Sequence, residues 1–204
     1  AYGMTECGPI ICHSPWNETA YMSCGRAADG MELKVLSSDP ERIAGELLCR
    51  GRNTMLGYYK NKEATAQIFE ADGWLHTGDM AVINKQGDVY IKGRCKNMLL
   101  SASGQNIYPE EIESKLNNLP YVNESLVIMS NDKLVALIYP DLGESMKDGL
   151  SDKELLHKID LARQELNKEL PPYSQITKVQ LQNEEFEKTA KKSIKRYLYQ
   201  NMNS

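Results

Sequence analysis

"GRCKNMLLSASGQNIYPEEIE", residues 93–113, is where the chain changes character, and its reading decides the fold. Upstream lie short β-rich runs separated by glycine turns. Downstream, helix signals alternate with hairpins. Inside the stretch, Pro109 marks a helix start, with Glu110 and Glu111 in the first turn, where the helix dipole favours acids. The change of character places a domain boundary at residues 94–97, between a β-rich portion over 1–93 and a second lobe over 98–204.

Moving outward toward the start, "DMAVINKQGDVYIKGR" (79–94) reads as a hairpin, two β-rich runs around Lys85-Gln86-Gly87-Asp88. "MELKVLS" (31–37) and "GELLCRG" (45–51) have strand length and turn residues at both ends. "KNKEATAQIF" (60–69) is a helical interlude with Asn61 as N-cap. Toward the end, "ESLVIMSNDKLVALIYP" (124–140) is a second hairpin, turning at Asn131-Asp132. Ser151 and Glu154 make a capping box for a helix reaching about Leu170. Leu155, Ile159, Ala162, Leu166 and Leu170 give that helix one apolar face. "ITKVQLQ" (176–182) reads as a third strand, followed by a basic tail with a turn or two of amphipathic helix. The fold class is therefore α+β: a small β-rich subdomain, a hinge, and an α+β C-terminal lobe with a three-stranded antiparallel sheet.

Composition bounds the function. The chain has 204 residues, 41% hydrophobic and 25% charged, as in an ordinary globular protein. A net charge of −4 argues against nucleic acid as partner, since no basic excess is available to neutralise phosphates. The best apolar run, "LVALIYP" (134–140), is strand-sized, so no transmembrane segment is expected; peripheral membrane contact stays open. Five scattered cysteines read as reduced thiols in a cytoplasmic protein rather than a disulfide framework. Cys7, Cys12, His13 and Cys24 lack the C-x2-C pair that seeds a zinc site.

Taken singly, the polar motifs are modest. Thr5 and Glu6 of "YGMTE" (2–6) offer a hydroxyl for phosphate and a hard oxygen for Mg2+, or simply a turn. Asp79, closing "DGWLHTGD" (72–79), can accept both hydroxyls of a ribose diol or cap a turn. Arg94 presents a planar donor fork. His76 reads as a packed loop histidine. In order and spacing these stretches say more. "YGMTE", "GELLCRGRNTMLGYY", "DGWLHTGD", "GRCKNMLLSASGQNIYPEEIE" and "KTAKKSIKR" (188–196) together resemble five successive motifs of the adenylate-forming (AMP-binding) enzymes. That superfamily holds acyl-CoA ligases, luciferases and peptide-synthetase adenylation domains. "SGQNIYPEEIE" and "ELPPYSQITKVQL" (169–181) look most like bacterial long-chain fatty acid–CoA ligases.

The resemblance implies ATP, Mg2+ and CoA as cofactors, a fatty acid as substrate, and two half-reactions. A carboxylate attacks the α-phosphate of ATP, giving acyl-AMP and pyrophosphate, and a thiol then displaces AMP. Carried over residue by residue, Tyr2, Thr5, Asp79 and Arg94 bind nucleotide, with Thr5 on the α-phosphate and Asp79 and Arg94 on the ribose. Glu6 contributes to the metal site, Lys96 is the hinge, and Gly104 faces the CoA channel. The family's tail motif reads threonine, two variable residues, glycine, catalytic lysine, then arginine three residues on. Thr189 and Arg196 fit, whereas Lys192 stands at the glycine position and Ser193 at the lysine position. Lys192 is the nearest catalytic candidate and Lys195 the next; a solvated basic face is the third reading. The family's phosphate loop and most of the acyl pocket are expected upstream of residue 1, so the chain reads as the C-terminal part of a longer ligase, inactive alone. Two alternatives stay open: a non-catalytic nucleotide-binding or regulatory module of the same fold, and an adenylation domain acting on a non-fatty carboxylate.

Overall fold

The computed structural model describes residues 1–200. The chain divides into two compact units, Ala1–Lys96 and a second from Asn97 onward. The first contains β1 (Cys12–His13), β2 (Arg26–Ala27), β3 (Met31–Leu36), β4 (Gly45–Gly51), α1 (Lys62–Ile68), β5 (Leu75–Ile83) and β6 (Val89–Arg94). β3 to β6 form a four-stranded antiparallel meander, and β1 pairs with β2 in a small second sheet. The turn between β5 and β6 falls at residues 84–88, where Asn84 Oδ1 accepts from the Gln86 and Asp88 amides at 3.0 and 2.8 Å. α1 starts where its sequence says, with the Asn61 side chain accepting from Ala64 N. Ile11, Met31, Val35, Leu47, Leu75, Ala81 and Val89 make this unit's core, together with Cys7, Cys12 and Cys49.

The second unit holds β7 (Leu99–Leu100), β8 (Asn106–Ile107), α2 (Pro109–Leu116), β9 (Val122–Ser130), β10 (Lys133–Pro140), α3 (Leu142–Lys147), α4 (Asp152–Glu169) and β11 (Ile176–Leu181). β9 and β10 form the expected hairpin, with Asn131 and Asp132 both at positive φ, 48° and 58°. That conformation gives the twist a two-residue hairpin turn needs. The three-stranded sheet, of order β11-β10-β9, is mixed rather than wholly antiparallel, because β11 joins β10 in parallel. The reason lies between them. The chain leaves β10, crosses over through α3 and α4, and re-enters the sheet from the same end, as parallel pairing requires.

Alternation along β9 and β10 splits the lobe into two cores. Val127, Leu134, Ala136 and Ile138 face α2 and α4, and Leu155, Ile159 and Leu166 of α4 are buried against them. Leu126, Ile128 and Leu137 face the opposite way and are covered by Phe186 of the tail, with Ile194 and Tyr199 beside it. The tail therefore packs as a strap on the sheet. Among the described residues its expected amphipathic helix is a 3-10 turn, Arg196–Leu198, because an isolated bridge between Lys188 and Ile194 closes a tight turn just before it. Among the described residues no helix is long and apolar enough to cross a membrane.

Candidate functional site

In the first unit, three of the expected nucleotide contacts meet. Backbone hydrogen bonds between Tyr2 and Cys12 stitch the start of the chain to β1. The same pairing carries the Tyr2 phenol to Asp79 on β5, where its hydroxyl donates to Oδ2 at 2.5 Å. Arg94 sits directly across the β5–β6 pair from Asp79, its Nη1 2.8 Å from Oδ1. It also donates to Thr77 O at 3.3 Å. Gly78, between Thr77 and Asp79, has a φ of 72°, which a side chain rarely adopts. The Asp79 side chain is 14% exposed and that of Arg94 51%, so the acid is sheltered while the guanidinium faces solvent and can reach a ligand. Burial, reinforced by Asp79, pushes the Tyr2 hydroxyl far above its usual range, so it stays a donor. A carboxylate held by two donors, beside an open guanidinium, can accept a vicinal diol.

Thr5 and Glu6 form a 3-10 turn, Thr5–Cys7. Met55 N donates to Glu6 O at 2.7 Å, and the Tyr58 hydroxyl donates to Glu6 Oε1 at 2.9 Å. Thr5 is exposed. No group of three or more His, Cys, Asp and Glu side chains fit to hold a metal occurs among the described residues. A lone carboxylate still suits Mg2+, which keeps several waters and takes one or two carboxylates plus substrate phosphate. His76 lies within β5 rather than a loop, its Nδ1 2.9 Å from Glu46 Oε2 and its Nε2 3.6 Å from Glu70 Oε1.

Lys96 is the last residue of the first unit, exposed in a 3-10 turn over Cys95–Asn97. Gly104 belongs to the second unit. Its φ of 77° closes a turn in which its amide donates to Ser101 O, and a cavity of about 260 Å³ opens beside this loop, lined by Ser101, Ser103, Lys133 and Tyr173 among others.

The tail explains its own departure from the motif. Lys192 N donates to Thr189 O at 2.9 Å and Thr189 N to Ser193 O at 2.8 Å. This turn puts Lys192 at φ 60°, so the backbone keeps the glycine conformation although a lysine occupies the position. Its side chain is exposed. Lys195, by contrast, is held by Glu187 at 3.0 Å, which raises its pKa. Arg196 pairs with Glu113 and lies 3.9 Å from Glu110, so the motif's arginine anchors the strap to α2.

Sequence reasoning missed Tyr58 and Thr77. Tyr58 stands in the quoted "GRNTMLGYY" stretch, but nothing local shows that its hydroxyl reaches Glu6, 52 residues away. Thr77 is buried and donates to Leu47 O at 2.7 Å while accepting from Asp79 N at 3.2 Å, which sets the acid's backbone.

A β-rich unit followed by an α+β lobe matches the fold of solved adenylate-forming enzymes. Residues 1–59 match the AMP-binding enzyme family, and residues 96–202, more than half of the chain, match the AMP-binding enzyme C-terminal domain. The chain belongs to the AMP-binding enzyme family. It is 34% identical over 139 residues to a long-chain-fatty-acid–CoA ligase of Mus musculus, covering 67% of this chain and 19% of that protein. It is 42% identical over 130 residues to the 3-[(3aS,4S,7aS)-7a-methyl-1,5-dioxo-octahydro-1H-inden-4-yl]propanoyl:CoA ligase of Rhodococcus jostii, covering 63% and 24%. The structure of o-succinylbenzoate CoA synthetase from Bacillus subtilis, in complex with ATP and magnesium, superimposes with a TM-score of 0.76 at 27% identity. That match covers 96% of this chain and 40% of the other. The chain thus spans about a fifth to a quarter of the length of the two curated relatives.

Proposed function

We propose that these residues work as the C-terminal part of an ATP-dependent acyl-CoA ligase that activates a carboxylate, a long-chain fatty acid, as acyl-AMP and passes it to CoA. The observation that carries this reading is Asp79, held between Tyr2 and Arg94 at hydrogen-bonding distance. Asp79 accepts the ribose hydroxyls and Arg94 donates to them, which fixes the adenosine end of ATP. Thr5 donates to the α-phosphate, and Glu6, its rotamer fixed by Tyr58, would hold Mg2+. The metal would neutralise charge on the phosphates. Lys192, solvent-facing, brings a positive charge to two anions that otherwise repel. Lys96 is the hinge on which the lobe turns between half-reactions, and Gly104 faces the pantetheine channel. The fatty-acid relative supports the chain-length assignment. The free thiols of all five cysteines support a cytoplasmic setting. Pyrophosphate exchange in the complete ligase, over a panel of long-chain, short-chain and ring-bearing carboxylates, tests the reading. Long-chain acids should drive exchange best, and this chain alone should drive none; a preference for ring-bearing acids would move the substrate class.

Ser193 at the motif's lysine position favours a second reading, a nucleotide-binding module without adenylation chemistry. Substituting Lys192 separates the two.

A further inference from the structure

The core of the first unit holds two thiols in contact. Cys7 Sγ and Cys49 Sγ lie 3.5 Å apart and both residues are fully buried, although 42 positions separate them in the chain. Neither thiol takes part in the ligand geometry above.

Their supports are unequal. Cys49 is at the centre of β4, in register with Leu33 on β3 and Leu75 on β5. Cys7 ends the short 3-10 turn, whose closing hydrogen bond, Gly8 N to Thr5 O, is 3.3 Å long. A disulfide needs sulfurs about 2.05 Å apart. Closing the gap therefore falls to the turn, which local opening of a few residues can move and expose.

We propose that Cys7 and Cys49 form a reversible disulfide site, closed by peroxide-class oxidants, that ties the position of the Thr5–Cys7 turn to redox state. In the first step Cys7, the sulfur that opening of the turn exposes, loses its proton and attacks a peroxide oxygen, breaking the O–O bond and giving a sulfenic acid and hydroxide. Cys49 sulfur then attacks the sulfenic sulfur, the S–S bond forms, and the second oxygen leaves as hydroxide. The Cys49 proton and the one first lost from Cys7 convert the two hydroxides to two waters. Both sulfurs are oxidised by one electron each and the peroxide is reduced by two. A small-molecule thiol reverses the reaction by exchange. The effect on ligand contacts at Thr5 and Glu6 rests on the proposed function; the bond itself does not.

The test is hydrogen peroxide treatment of the folded chain, followed by unfolding, alkylation with iodoacetamide and peptide mapping. Cys7 and Cys49 should lose alkylation together, appear in one linked peptide lighter by two hydrogens, and regain alkylation with dithiothreitol. Hydrogen exchange at residues 5–8 should change between the two forms. Cys49→Ala should abolish the linkage and leave Cys7 to oxidise further, to the sulfinic acid; Cys7→Ala should leave Cys49 alkylatable. The proposal is overturned if both thiols remain alkylatable at a dose that oxidises Cys24 and Cys95. It is likewise overturned if Cys7 links to another cysteine, or if the bond forms without any change in exchange at the turn.

Discussion

Asp79 is reached from two sides, and the two contacts differ in kind. The Tyr2 hydroxyl is a neutral donor to the carboxylate; Arg94 brings a charge of its own. A hydrogen bond with an ionised partner contributes about 1.5–3 kcal/mol. Asp79→Asn should therefore weaken AMP binding by roughly tenfold to a hundredfold, and Tyr2→Phe, which acts on the ligand only through Asp79, by less, roughly fivefold, in a calorimetric titration. Equal, unchanged affinities would remove the ribose from this site. Lys192 separates backbone from charge. Its left-handed conformation is strained for a lysine by about 1 kcal/mol, and glycine adopts it freely. Lys192→Gly should melt no lower than Lys192→Ala, the alanine keeping the strain. If the ammonium serves adenylation, both variants should lose adenylate formation by about a hundredfold in single-turnover assays of the complete ligase. Adenylation left intact in both variants would leave the tail as a solvated basic turn.

The tail strap is the element on which pH acts. Phe186 fills the outer core, meeting Tyr199 edge to face with ring centroids 5.2 Å apart, and Arg196 ties the strap to Glu113 and Glu110 on α2. Glu113 is buried, and that burial raises its pKa despite Arg196 and the Val127 amide, which lower it. The folded state therefore holds this proton more tightly than the unfolded one, so stability falls as pH rises from the ordinary carboxylate range through the raised pKa. Removing the guanidinium takes away a lowering influence and raises that pKa further. Arg196→Met should thus be a pH-dependent defect: small near about pH 4, and growing toward about 3–5 kcal/mol by about pH 8, where a charged Glu113 is left without its partner. Denaturant midpoints at the two pH values check it. A deficit of the same size at both would mean that Arg196 acts by packing alone.

At the scale of the whole molecule, each unit has its own core, and the division falls between Lys96 and Asn97. If that point is a hinge, fixing φ with Lys96→Pro should favour one orientation of the lobe. In the complete ligase, adenylate formation should survive better than thioester formation, while Lys96→Ala should spare both. Equal loss of the two steps in the proline variant would place the hinge elsewhere.

The elements that local rules govern were legible in the sequence. Pro109 and the Ser151–Glu154 capping box start their helices, Asn131-Asp132 turns its hairpin, and the residues of the β4 run span the strand from Gly45 to Gly51. Motif order named Tyr2, Asp79 and Arg94 together as candidates, because each lies in a stretch whose pattern is itself recognisable, and the fold brings the three side chains into contact. Three features were decided only by tertiary structure. The parallel entry of β11 depends on the path of a crossover helix, which periodicity shows as a helix but not as a direction. The strap depends on Phe186 finding the face opposite α4, a pairing with no local signature. The meeting of Cys7 with Cys49, and of Tyr58 with Glu6, joins residues 42 and 52 positions apart. Short-range hydrogen bonding and side-chain periodicity are written along the chain. Which distant side chains come within reach is set by how strands twist and layers close, and so it exists only once the fold has formed.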